Sequence, residues 1–151
     1  FDKKQIELIG VEAGGPLKSN KHAAPLTNNS KIGVLHGAMQ YVVQNKDGQI
    51  EETESISAGL DYSGVSPLHC FLKDTKRARY VSASDEDALN AYKLVTKYEK
   101  INPSLEPCHA FAIACKEARK LDKDTIIVVN SCGDAIKDKD ILKSRLGKKY
   151  G

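Results

Sequence analysis

Apolar residues recur along this chain in two rhythms. In "IELIGVEAGG" they form a near-continuous run, Ile6 to Glu12, closed by Gly14 and Gly15. A strand covered on both faces has that pattern. "TIIVVN", Thr125 to Asn130, is the strongest such run, β-branched and apolar on both faces, and it leads directly into "SCGD". The second rhythm is helical. In "SDEDALNAYKLVTKYEK" Ala88, Ala91, Tyr92 and Val95 recur on one face. Ser84 is placed to cap that helix with Asp87 as its capping-box partner, and Asp85 and Glu86 suit its positive end. "SLEPCHAFAIACKEARKL" predicts a second helix, with Ala110, Ala112 and Ala114 allowing close packing and Lys116, Arg119 and Lys120 at its negative end. "DKDILKSRL" predicts a closing helix.

Between these elements the pattern breaks down. "PLKSNKHAAPLTNNSK" is a polar loop with Pro16 and Pro25. "YVVQNKDGQIEE" predicts a hairpin turning at Asp47–Gly48. "SISAGLDYSGVSPLH", Ser55 to His69, is too rich in glycine and serine to be the interior of an element, and Asp61 is its one acidic side chain. Strand, long connection, helix, helix, strand and turn make an α/β pattern with a partly parallel, twisted sheet flanked by helices. In such sheets ligands sit beyond the carboxyl ends of strands, so "EAGG" and "SCGD" are the loops to watch. No internal repeat, low-complexity tract or linker interrupts the chain.

Composition narrows the function classes. The 151 residues suit one domain with a real core, and 40% hydrophobic and 28% charged residues are ordinary for a globular protein. The net charge is +3 with signs interleaved, so basic groups such as "KDTKR" and "KSRLGKKY" are too short for a nucleic-acid footprint. No apolar run reaches the roughly 20 residues of a membrane span. "FDKKQIELIG" has no signal-peptide apolar segment, and a start at Phe1 suggests a truncated or processed chain. Cys70, Cys108, Cys115 and Cys132 have no CxxC spacing, which fits a reduced cytoplasmic or organellar-stroma protein without a disulfide framework. His22, His36, His69 and His109 form no zinc-binding spacing.

For each residue that could carry chemistry, a plain reading competes with a functional one. Asp61 in a Gly/Ser segment is a turn former, or a substrate-facing acceptor on a mobile loop. Glu106, beside Pro107, is favoured at a helix start by the dipole alone. Cys132 before Gly133 is a small buried hydrophobe, or a group aimed at a ligand from a strand's carboxyl end. His36 in "VLHGAM" and His109 in "EPCHAF" read first as packed or locally bonded histidines. "KDKD", Lys137 to Asp140, reads as a solvated face.

A resemblance sharpens these choices. "LIGVEAGG", "KHAAPLT", "GVLHGAM", "DGQIEE", "SISAGLDY" and "YVS" with its acidic helix start resemble the tryptophan synthase β-chain family. "PSLE" followed by "HA", then "IIVVN", continue the match in the same order and at similar spacing, from about Ile6 to Asp140. The family is a fold-type II pyridoxal phosphate lyase of tryptophan biosynthesis. It replaces the hydroxyl of L-serine with indole, works with a tryptophan synthase α chain, and forms a homodimer. The resemblance implies that this chain is the C-terminal part of such an enzyme, within its larger C-terminal domain. It implies that Asp61 is catalytic and binds substrate, on a segment that closes over the serine adduct and excludes water. It places His36 near the indole passage, Glu106 beside the cofactor, and Cys132 with Gly133 against the pyridine nitrogen. It gives the backbone carbonyls of Tyr62 and Gly64 to a monovalent cation, sodium or potassium. The cofactor does the bond-breaking and the protein positions and tunes it.

The departures cluster around the same places. The family writes "SGRGDKD" where this chain has "SCGDAIKDKD", with Cys132 for serine and Asp134 for arginine. A thiol is a weaker donor than a hydroxyl, which weakens the pyridine contact. Pro107 and Cys108 replace a small polar pair, and Ser63 stands where proline is usual. In the family the lysine that carries the cofactor, a catalytic glutamate and the phosphate-holding glycine loop all precede this segment, so the 151 residues alone are expected to be inactive. Two other readings compete: a non-catalytic binding module derived from a β chain, and a related fold-type II enzyme acting on serine, threonine or cysteine.

Overall fold

The computed structural model describes residues 5–28 and 30–150, apart from the side chain of Lys149. The chain start at Phe1 lies outside the described residues. The fold is α/β, as the rhythms predict, but its strands are not all where the rhythms place them. Strand β1 (Ile9–Ala13) begins later than its apolar run and pairs in parallel with β4 (Arg79–Ala83), in register from Ile9 opposite Arg79 to Ala13 opposite Ala83. Strands β2 (Lys31–Leu35) and β3 (Ala38–Val42) form a separate antiparallel hairpin. Its turn is His36–Gly37, with φ of 50° and 78°, the doubly left-handed geometry that matches strand twist in two-residue hairpins. The predicted turn at Asp47–Gly48 is present, with Gly48 at φ 81°, but the strands around it pair through one bridge, Gln44 opposite Ile50.

Four α-helices complete the fold: α1 (Pro67–Asp74), α2 (Asp85–Tyr98), α3 (Leu105–Ala118) and α4 (Lys139–Leu146). The expected capping box opens α2: Ser84 Oγ accepts the Asp87 N–H while the Asp87 carboxylate accepts the Ser84 N–H. Helix α1 overturns the reading of Ser55–His69 as outside any element at its last three residues: Ser66 caps the helix and Pro67 occupies its first turn, a standard helix start. The core lies between α2 and α3. Ala88, Leu89, Ala91 and Tyr92 of α2 pack with Leu105, Cys108, Ala112 and Ile113 of α3, and Leu142 of α4 closes one end. Leu105, Cys108, Ala112 and Ile113 follow the spacing of a single helical stripe.

One expectation is overturned. Thr125–Asn130 belongs to no strand, and Ile126 and Val128 are 87% and 88% exposed. A parallel strand is stable when neighbours on its edges take up its N–H and C=O groups and helices cover its faces. Among the described residues no element supplies that ladder to 126–130; the one bond near its start is a turn, Thr125 N–H to Asp122 C=O at 3.0 Å. No helix among the described residues is long and apolar enough to cross a membrane.

Candidate active site at the amino end of helix α3

The site is built around the first turn of α3. Ser104 precedes the helix and ties it to the turn after Asn130: its Oγ donates to the Cys132 carbonyl at 2.9 Å and its N–H to the Gly133 carbonyl at 3.3 Å. Gly133 stands at φ 77°, and a Cβ there would lie 3.3 Å from Ser104 Oγ, so a residue without a side chain suits this turn. Asp134 accepts the Ile136 N–H at 2.8 Å and opens a 3₁₀ turn over Ala135–Asp138. Asp138, almost fully buried, then accepts the Leu105 N–H at 2.8 Å and caps α3 from a distant part of the chain. In the "KDKD" run the solvated-face reading fails at Asp138, which is buried, and holds for exposure at Lys137, Lys139 and Asp140.

Glu106 occupies the same turn. Its Oε1 accepts the Lys137 ammonium at 2.6 Å and the Gly59 N–H at 2.9 Å. Lys137 also reaches Asp138 Oδ1 at 3.2 Å. Burial pushes the Glu106 carboxyl up, but the Lys137 ammonium and nearby main-chain and hydroxyl dipoles outweigh it and hold the group at about 2. Glu106 Oε2 and Ser57 Oγ are buried and neither makes a well-formed hydrogen bond, although the Ser57 hydroxyl lies close enough to Glu106 to help lower its pKa. Cys132 is a free, exposed thiol, not the buried hydrophobe of the plain reading. Cys108 is the inert one: it is buried, donates to the Ser104 carbonyl at 3.1 Å, and burial pushes its thiol up to about 12.

The glycine- and serine-rich segment is tied down along its length. Asp85, buried at the start of α2, accepts the Ile56 N–H at 3.1 Å. Gly59 docks on Glu106, and the 3₁₀ turn Ala58–Leu60 ends at Asp61. Ser63 accepts the Val43 N–H at 2.7 Å through its carbonyl, and Val65 donates to Gln40 Oε1 at 2.8 Å. Gln40, buried on β3, also donates to the Leu35 carbonyl at 2.8 Å, so one amide clamps the segment to the hairpin. Gly64 passes so close that a Cβ would lie 2.5 Å from Gln40 Oε1.

The sequence candidates thus fall into two neighbouring groups. Glu106, Cys132 and Gly133 meet at the amino end of α3. Asp61 follows Gly59 by two residues and is exposed; among the described residues it has no ion pair. His36 meets Tyr62: the rings stack at 5.6 Å, and His36 Nδ1 lies 2.7 Å from Tyr62 Oη. His109 is fully buried, its Nδ1–H bonded to the Leu105 carbonyl at 2.9 Å, and burial lowers its pKa. The packed reading of His109 therefore holds. Sequence reasoning missed Lys137, Asp138, Gln40 and Ser57. For Asp138 a local signal existed, an acid near a helix-forming run; Gln40 announced itself only as a polar residue within an apolar strand. No group of three or more His, Cys, Asp or Glu residues is placed to hold a metal among the described residues. A cleft of about 600 Å³ lies nearby, lined by Tyr92, Thr96, Asn102, Gly133, Asp134 and Lys139 among others; of the sequence candidates Gly133 lines it, and Asp61, Glu106 and Cys132 do not.

No family model matches the chain. It is similar to curated tryptophan synthase beta chains. It is 51% identical over 134 residues to that of Chromobacterium violaceum, covering 88% of this chain and 34% of the relative. It is 51% identical over 143 residues to that of Allorhizobium ampelinum, covering 94% and 34%. With that of Bordetella petrii the identity is 49% over 148 residues, covering 97% and 37%. The chain spans about a third of the length of these relatives.

Proposed function

We propose, on the premise that the chain belongs to the tryptophan synthase β-chain family, that it is the C-terminal part of an enzyme joining L-serine and indole into L-tryptophan. In this reading the part lies within the larger cofactor-binding domain, and the whole protein works with an α chain and as a homodimer. The observation that carries the reading is the meeting of Glu106, the Cys132–Gly133 turn and the Asp61 segment at one helix end.

The residues present fit one edge of a pyridoxal phosphate. Glu106 keeps one buried carboxylate oxygen without a well-formed hydrogen bond, Ser57 Oγ beside the same segment likewise lacks one, and Cys132 presents a thiol on a turn fixed by Ser104. Bound there, the cofactor would supply the electron sink that lets the serine hydroxyl leave and indole take its place. Cys132 would face the ring nitrogen as a neutral, weak donor, and Gly133 lets the main chain come close. Glu106, held ionised, offers acceptor oxygens at the cofactor's edge. Asp61, exposed on its turn, accepts hydrogen bonds from the serine substrate, and closure of its segment keeps water out. His36, stacked on Tyr62, borders the path for indole. The carbonyls of Tyr62 and Gly64 face a monovalent cation. The lysine and phosphate loop the chemistry needs belong to the rest of the protein, so a polypeptide of these 151 residues makes no tryptophan by itself.

The test is tryptophan formation from L-serine and indole by the full-length protein with pyridoxal phosphate. Turnover is expected, and Asp61→Ala should lower it by about 100-fold or more, the scale of losing one well-placed catalytic group, while cofactor absorbance persists. Equal losses of both would leave Asp61 a structural residue only. A second reading, a binding module that has lost its chemistry, draws on Cys132 standing in the serine position; absence of turnover in the full-length protein would select it.

A further inference from the structure

The bond between Glu106 and Gly59 joins the cofactor side of the site to the turn carrying Asp61, and a third residue decides where that bond points. We propose that Lys137 is a positioning residue for Asp61: its ammonium fixes the Glu106 carboxylate so that Oε1 receives the Gly59 N–H, and the Asp61 turn docks or swings free with that bond. The family resemblance assigns no role to Lys137, and the charge pattern made it a surface residue.

The geometry runs as one chain of charge-assisted bonds. The Leu105 N–H at the start of α3 donates to Asp138 Oδ2 at 2.8 Å, and Asp138 Oδ1 receives Lys137 at 3.2 Å. Lys137 donates to Glu106 Oε1 at 2.6 Å, which also receives the Gly59 N–H at 2.9 Å. The two carboxylates are largely buried, Glu106 14% and Asp138 4% exposed at the side chain, while Lys137 is 52% exposed, so water screens the network from the lysine side and geometry rather than charge alone fixes the carboxylate. Helix α3 alone would favour a negative charge at Glu106, but a dipole does not select a rotamer; a lysine anchored by Asp138 does. Gly59 is equally specific, since a Cβ there would lie 2.4 Å from Glu106 Oε1 and drive the carboxylate away. Gly59 and Asp61 are two residues apart in the same tight turn, so what holds Gly59 sets where Asp61 stands. The strongly lowered pKa of Glu106 agrees with a carboxylate held in this way. The catalytic consequence rests on the function proposed above: a cofactor drawing on the Glu106 carboxylate would compete with Gly59 and so couple its own binding to the Asp61 turn.

Amide hydrogen exchange on the full-length protein tests the latch without cofactor, substrate or turnover, so its failure and the failure of the functional reading are separable. Lys137→Met should speed exchange at Gly59 and Leu60 by about tenfold or more, the loss of roughly one charge-assisted bond, and leave the amides of α2 unchanged. Lys137→Arg, which keeps the charge and donors, should stay within about threefold of the parent. Unchanged exchange at Gly59 in Lys137→Met would overturn the proposal. Should that variant loosen the whole domain, Gly59→Ala decides. It leaves Lys137 in place and displaces the carboxylate by contact, so the Leu60 and Asp61 amides must open; if they remain as protected as in the parent, the proposal fails.

Discussion

Two stretches of this chain invert what their composition promises. Ser55–Val65 is rich in glycine and serine, yet Asp85, Glu106, Val43 and Gln40 each bond its main chain. Thr125–Asn130 is β-branched and apolar, yet it pairs with no strand among the described residues and exposes Ile126 and Val128. Side-chain pattern states what a segment could bury; main-chain partners decide what it does. The first stretch is supplied with donors and acceptors by helix starts and a strand glutamine. The second finds no ladder among the described residues.

The comparison can be pressed at both ends. The largest effect should come from Asp138→Ala. It leaves the Leu105 N–H buried without an acceptor and removes one of the two carboxylates that hold Lys137, and urea unfolding should show a loss of about 3 kcal/mol. A loss below about 0.5 kcal/mol would mean that Asp138 holds nothing that water cannot replace. At the other end, Val128→Ser should change stability by no more than about 0.5 kcal/mol, because an exposed side chain has little burial to lose. Light scattering should show less self-association in the same variant, since an unpaired apolar run is a site for edge-to-edge contact. A strongly destabilising Val128→Ser would place that side chain in a core instead.

Much of the fold was legible where its causes are local. Ser84 and Asp87 form their capping box within a single turn, and the apolar faces of α2 and α3 are set by spacing along each helix. The candidate site was legible only through resemblance: Asp61, Glu106, Cys132 and Gly133 each had a plain alternative that no local pattern could dismiss. What could not be read locally depends on distant partners. Gln40 gains its role from Val65 and Leu35, Asp138 from Leu105, and Lys137 from Glu106. β4 gains its place only by pairing with β1, on the far side of the hairpin and α1. "KDKD" reads as solvated because the sequence does not show that α3 begins beside it.

The same contrast gives the most direct test of the account, a residue-resolved hydrogen-exchange profile of the parent protein. Slow exchange at the Ile56, Gly59 and Val65 amides beside fast exchange at Ile126 to Val129 is the predicted result. Fast exchange throughout Ile56–Val65 would contradict it, because Asp61 would then ride on a loose loop rather than on a segment docked against Glu106.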